Sequence, residues 1–134
     1  RPFIIKPNQH ELEELFEVNI QTQEEIINYA FQLQGKGARN VLISCGGEGA
    51  FLVSETGKVF TSNIPEGTLV NSVGAGDSML AGFMAKFIET NDYRKSLKQG
   101  AASGSATAFS VGIATRELIE ELIPQIEITE ISRQ

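Results

Sequence analysis

Apolar positions along this chain follow two periods, and the switches between them mark its elements. Phe3-Ile4-Ile5 is an apolar run with no polar alternation, which predicts a short strand from Pro2 to Lys6 covered on both faces. Pro7-Asn8 ends it, and Asn8 can cap a short helix reaching Phe16, with Glu11 at the third helical position. Thr22-Gln23-Glu24-Glu25 has capping-box spacing and opens a helix whose inward face is Ile26, Ile27, Ala30, Phe31 and Leu33. Gly35-Lys36-Gly37 closes that helix. The β-branched run from Val41 to Cys45 predicts a buried strand. Ala50 to Ser54 and Lys58 to Ser62 flank a Thr56-Gly57 turn and predict a hairpin.

After a loop over residues 63–73, the longest helical pattern opens at Gly74, with Met79, Leu80, Phe83, Met84 and Phe87 on its apolar side. Asp92 caps a following helix from Tyr93 to about Val111, and Thr115 caps a short one from Arg116 to Ile123. Pro124 breaks it, and Ile126, Ile128 and Ile131 predict a last strand. Strand, helices, strand, hairpin, helices is an α/β layer pattern, with helices covering a mostly parallel sheet. No internal repeat or low-complexity linker interrupts it.

The 134 residues suffice for one domain, and 41% hydrophobic with 21% charged residues is an ordinary globular mix. Eleven basic side chains against 17 acidic ones give a formal charge of −6. No basic stripe exists to track a phosphodiester backbone, so no nucleic-acid partner is expected. The longest uncharged run, Gln99 to Thr115, is too rich in Gly, Ser and Thr for a bilayer span, so no membrane partner is expected either. The one cysteine, Cys45, has no partner for an internal disulfide, which fits a cytoplasmic location. With no leader, no lipidation motif and no initiating Met before the first apolar run, the chain reads as a piece of a longer protein.

Four segments carry candidate chemistry. In Asn71-Ser72-Val73-Gly74-Ala75-Gly76-Asp77, a loop turns into a helix on two glycines, exposing backbone N–H groups whose direction and dipole favour an anion. Small residues at Gly74, Ala75 and Gly76 let a phosphate approach the backbone. Asp77 stands at the same helix start, where a carboxylate can accept a proton from an attacking hydroxyl or simply complement the helix dipole. The segment is neither a Walker A loop, since no G-x-x-x-x-G-K-[ST] occurs, nor a dinucleotide fingerprint, since Met79 replaces the third glycine. In Lys6-Pro7-Asn8-Gln9-His10-Glu11, Asn8 and Glu11 reach one helix end beside a strand exit. They can form a capping box or hold water around a Mg²⁺ ion.

Ser44-Cys45-Gly46-Gly47-Glu48-Gly49 offers a backbone anion nest with Ser44 as hydroxyl donor, or else a tight hairpin connection. The small face formed by Leu97, Ala101, Gly104, Ser105 and Ala108 admits a neighbouring helix or a flat ring such as adenine. The lone His10 reads as a surface residue, and with one cysteine beside it a transition-metal site or a Cys-His nucleophile is not expected. Glu13-Glu14 and Glu120-Glu121 read as solvated helix faces.

The order K-P-N-x-x-E, S-C-G-G-E-G-A and N-S-V-G-A-G-D-S-M-x-A-G-F resembles the C-terminal part of the ribokinase-like (PfkB) carbohydrate kinases over nearly the whole chain. That resemblance implies residues 1–134 are the ATP-binding and catalytic portion of a three-layer α/β/α domain, without the N-terminal sugar-binding half and its lid. It implies Asp77 as catalytic base, Gly74, Ala75 and Gly76 as anion hole, and Asn8 with Glu11 as the element organising Mg²⁺ and the ATP phosphates. Ser44, Gly46 and Gly49 match the nucleotide-side loop, and Ala102, Ser105 and Ala106 would flank the adenine. Asn71 stands where many members have Asp, which questions a monovalent-cation requirement. The Asn-Ser-Val form resembles the branch that phosphorylates sugar phosphates.

The implied reaction is phosphoryl transfer from ATP to fructose 1-phosphate, with tagatose 6-phosphate as the alternative acceptor. The intact protein would be a homodimer, and the isolated 134 residues would turn over no sugar. The rivals are a non-catalytic nucleotide-binding fragment and a structural α/β domain whose glycine motifs are only turns and caps.

Overall fold

A computed structural model describes residues 2–46, 49–65, 67, 70, 74–110 and 114–131. The chain divides into two compact units, one comprising Arg1–Thr61 with Glu130–Gln134 and the other Ser62–Thr129.

The first unit opens with β1 (Ile4–Ile5), α1 (Gln9–Phe16), α2 (Gln23–Gly35) and β2 (Asn40–Ser44). It continues through β3 (Ala50–Val53) and most of β4 (Val59–Ser62). The strand order is β1-β2-β3-β4-β5, with the last two residues of β5 (Ile128–Ile131) belonging to this unit. The sheet is mixed, which departs from the mostly parallel one expected. β1 and β2 are parallel, pairing Ile4 with Asn40 and Ile5 with Val41, whereas β2 and β3 are antiparallel from Val41–Val53 to Ser44–Ala50. Connection length decides this: two helices bridge β1 to β2, while only Cys45–Gly49 joins β2 to β3, too short for a crossover.

β1 has two residues and is half-buried in this structure rather than covered on both faces. The core beneath the sheet gathers Leu12, Ile26, Ile27, Ala30 and Leu33 from the helices with Val41, Ile43, Phe51 and Val53 from the strands. The predicted hairpin forms: Ser54 N–H donates to the Lys58 carbonyl at 2.9 Å, and Gly57, at φ 89°, donates to the Ser54 carbonyl at 3.0 Å. Glu13 is not a solvated acid. Its Oε2 accepts the Ile20 N–H at 2.8 Å and ties α1 to the following loop.

The second unit contains α3 (Ala75–Thr90), α4 (Tyr93–Ala108), α5 (Arg116–Leu122), a 3₁₀ turn (Ile123–Gln125) and the first two residues of β5. The predicted helix limit at Val111 lies outside the described residues. Asp92 Oδ1 accepts the Lys95 N–H at 2.9 Å and Thr115 Oγ1 the Leu118 N–H at 3.2 Å, as their sequence positions predict. α3 and α4 approach backbone to backbone. A Cβ added at Gly100 would lie 2.7 Å from the Met79 carbonyl, and one at Gly104 would lie 3.0 Å from that of Ala75. Phe83 is fully buried, and Ala101, Ala102 and Ala106 form a cluster with Leu122 and Ile126.

Candidate active site

The candidate residues fall into one group in each unit. In the first, Asn8 follows β1 and forms a parallel bridge with Ser44 at the end of β2, where Ser44 N–H donates to the Pro7 carbonyl at 3.4 Å. The Asn8–Glu11 turn therefore lies beside the carboxyl end of two parallel strands, the place where open α/β sheets bind ligands. Asn8 Oδ1 accepts the Glu11 N–H at 2.7 Å and Glu11 Oε1 accepts the Asn8 N–H at 3.0 Å, so the capping box is formed. Both residues are nevertheless exposed. A carboxylate has two oxygens, and the cap is made by one of Glu11's. The donor set, one carboxylate and one amide oxygen, fits a Mg²⁺ ion that keeps most of its water and takes its other ligands from phosphates. Among the described residues no group of three or more His, Cys, Asp or Glu side chains converges on one point. His10 is exposed and reaches Glu14 at 3.1 Å.

Beyond Ser44 the chain bends through Gly46 at φ 53° and Gly49 at φ 97°, a left-handed conformation that favours glycine. Cys45 N–H donates to the Gly49 carbonyl at 2.8 Å and Gly49 N–H to the Gly46 carbonyl at 3.2 Å. Those two donors close the hairpin connection, so a phosphate nest in this loop would have to draw on other N–H groups. Gly47 and Glu48 lie outside the described residues.

In the second unit, Gly74 is the N-cap of α3 at φ 82° and, as glycine, has no side chain to cap the helix start. The other four α-helices begin on a side chain, Asn8, Thr22, Asp92 or Thr115, that accepts a backbone N–H. Ala75, Gly76 and Asp77 form the first turn, with Asp77 exposed. A helix start of this kind presents N–H groups and the positive end of the dipole to whatever approaches it. Asn71, Ser72 and Val73, which precede it in the motif, lie outside the described residues.

Ala102 and Ala106 are fully buried, and Ser105 is nearly so at 8% exposure. The two alanines face the α5 cluster, so this stretch has the packing role that its small residues also allowed. Sequence reasoning missed the hydroxyl pair Thr107–Ser78, in which Thr107 Oγ1 donates to Ser78 Oγ at 2.7 Å and fastens the first turn of α3 to α4. The available signal was the spacing of Gly100, Gly104 and Thr107 along one helix face.

The sequence profile of the pfkB family carbohydrate kinases matches residues 1–120. A 1-phosphofructokinase of Bacillus subtilis (strain 168) is 42% identical over 131 residues, which are 98% of this chain and 43% of that protein. A D-tagatose-1-phosphate kinase of Bacillus licheniformis is 36% identical over 131 residues, 97% of this chain and 43% of that protein. The crystal structure of a Staphylococcus aureus protein provisionally named a phosphofructokinase superposes with a TM-score of 0.93 at 36% identity, covering 100% of this chain and 44% of its own. The chain thus spans less than half the length of the relatives it matches. With glycine motifs in this succession, a helix start N-capped by glycine and a family profile covering most of its length, the chain belongs to the pfkB family of carbohydrate kinases.

Proposed function

We propose that residues 1–134 are the ATP-binding and catalytic portion of a kinase that moves the γ-phosphoryl group of ATP onto fructose 1-phosphate, giving fructose 1,6-bisphosphate. The observation that carries this reading is the start of α3, where the exposed Asp77 stands on the first turn of a helix whose N-cap is a left-handed glycine. In the transfer, the 6-hydroxyl oxygen of the sugar forms a bond to the γ-phosphorus while the bond to the bridging oxygen breaks and ADP leaves. Asp77 takes the hydroxyl proton as that bond forms. The N–H groups of Ala75 and Gly76, with Gly74 leaving the approach open, meet the negative charge on the transferred group. Mg²⁺, when bound, offsets the charge of the ATP phosphates, and Asn8 and Glu11 would hold it through water. Ser44, Gly46 and Gly49 are assigned to nucleotide binding. Ala102, Ser105 and Ala106 are assigned to the adenine side through the helix they build rather than through exposed side chains.

The names of the relatives support a ketose 1-phosphate as acceptor. Fructose 1-phosphate and tagatose 1-phosphate are epimers that both leave the 6-hydroxyl free. Tagatose 1-phosphate therefore takes the place of tagatose 6-phosphate as the second candidate. Among the described residues no helix is long and apolar enough to cross a membrane. We assign the protein to the cytoplasm, where the buried thiol of Cys45 stays reduced, and its intact form to a homodimer.

The test is ADP release by the natural protein that carries this chain, offered fructose 1-phosphate, tagatose 1-phosphate and fructose 6-phosphate in turn. Preference for fructose 1-phosphate supports the proposal, and preference for tagatose 1-phosphate moves it to the sister acceptor. ATP binding without turnover of any of the three would favour the non-catalytic nucleotide-binding reading. Sedimentation of the same preparation reads the oligomer.

A further inference from the structure

The strand that delivers Asn8 is only two residues long. At its far end, the Ser44 N–H bond to the Pro7 carbonyl is long, at 3.4 Å. Its near end is held differently. Asn40 is fully buried, and both ends of its amide are used. Its Nδ2 donates to the Phe3 carbonyl at 2.8 Å, and that same carbonyl accepts the Asn40 backbone N–H at 3.0 Å. Its Oδ1 accepts the Glu55 N–H at 2.8 Å, in the turn between β3 and β4. One side chain at the start of β2 thus joins the residue before β1 to the β3–β4 turn and gives the Phe3 carbonyl a second donor. An apolar residue of similar volume would remove this part-buried acceptor from the Glu55 N–H and the second donor from the Phe3 carbonyl.

We infer that Asn40 is a positioning residue: by anchoring Phe3 it sets the register of β1 against β2, and so the place of Asn8 and Glu11 beside Ser44. The idea rests on the assignment of Asn8 and Glu11 to Mg²⁺ and nucleotide. In a strand of period two, a slip of one residue would turn every side chain to the opposite face, so register is what the anchor protects. Arg39 reinforces it, with its backbone N–H on the Pro2 carbonyl at 3.1 Å and its guanidinium 5.0 Å from the centre of the Phe3 ring.

The experiment compares Asn40→Leu with Ile27→Ala, a core truncation on α2, in the natural protein that carries this chain. Should Asn40→Leu fail to fold, Asn40→Ser takes its place. The readouts are Mg·ATP affinity by calorimetry, the Mg²⁺ concentration for half-maximal ADP release, kcat, and hydrogen exchange at the Ser44 amide. The expected result for the Asn40 variant is weaker Mg·ATP binding and a higher Mg²⁺ requirement, each by about tenfold. Its kcat should be nearly unchanged and the Ser44 amide should exchange faster. Ile27→Ala should lose stability while leaving Mg·ATP binding and Ser44 exchange near wild type. Wild-type binding and Ser44 exchange in the Asn40 variant would overturn the inference, as would equal changes in Ile27→Ala. If the unmodified protein releases no ADP with any sugar phosphate, the proposed reaction fails. Calorimetry and exchange still decide the role of Asn40.

Discussion

At the scale of single residues, Asn8 and Glu11 form a cap and are proposed to hold Mg²⁺ through water, and a single substitution can separate the two roles. Glutamine serves as well as glutamate at the third position of a capping box, so Glu11→Gln keeps the acceptor for the Asn8 N–H but removes a charge. The expected outcome is a thermal midpoint close to wild type and a raised Mg²⁺ requirement, read by titrating Mg²⁺ against ADP release. Loss of stability without a change in Mg²⁺ dependence would leave only the cap. Asn8→Ala, in contrast, should cost about 1 kcal/mol of stability through the lost cap, measurable by denaturant unfolding. The cap was legible because it is local: Asn8 and Glu11 are three residues apart. Asn40 was not, because its partners lie 37 and 15 residues away and nothing in its neighbourhood distinguishes it from an ordinary strand-start residue. Glu13 misled for the same reason, since its partner Ile20 lies beyond the helix that makes it look solvated.

At the scale of elements, the periodicity of apolar positions located the described α-helices and strands to within a few residues, although of the predicted apolar side of α3 only Phe83 is buried. What it left open was how the small residues of α3 and α4 are used. Their glycines bring the two helices into close contact, so Gly100→Ala, which would drive a Cβ toward the Met79 carbonyl 2.7 Å away, should destabilise by about 1–3 kcal/mol. Gly35→Ala offers the contrast: no atom lies within 4 Å of its added Cβ, and it should be neutral or stabilising by up to about 1 kcal/mol. Denaturant unfolding of the pair checks this, and similar losses at both positions would refute the close-packing account. The stretch holding Ala102, Ser105 and Ala106 was legible as a small-residue face. Whether such a face admits a helix or a ring depends on tertiary neighbours, and here Leu122 and Ile126 cover its alanines.

At the scale of the whole molecule, chain connectivity explains the one architectural departure. An apolar run predicts a buried strand, but whether it pairs parallel or antiparallel depends on how much chain precedes the next strand. The five residues from Cys45 to Gly49 permit only the antiparallel choice. The resemblance in motif order anticipated the family, because three motif segments in fixed succession, two of them glycine-containing, are far more specific than any one of them. In the structure Asn8 and Glu11 stand at the start of α1, Gly74 to Asp77 at the start of α3, and Ala102, Ser105 and Ala106 within α4. The central claim is that the start of α3 performs phosphoryl transfer with Asp77 as the base. The most direct measurement is kcat for ADP release from ATP and fructose 1-phosphate by the natural protein and its Asp77→Asn variant, alongside ATP binding to both. The account predicts a fall in kcat of about 10²–10⁴-fold with ATP binding and thermal midpoint unchanged. An Asp77→Asn protein that turns over as fast as the original would contradict it.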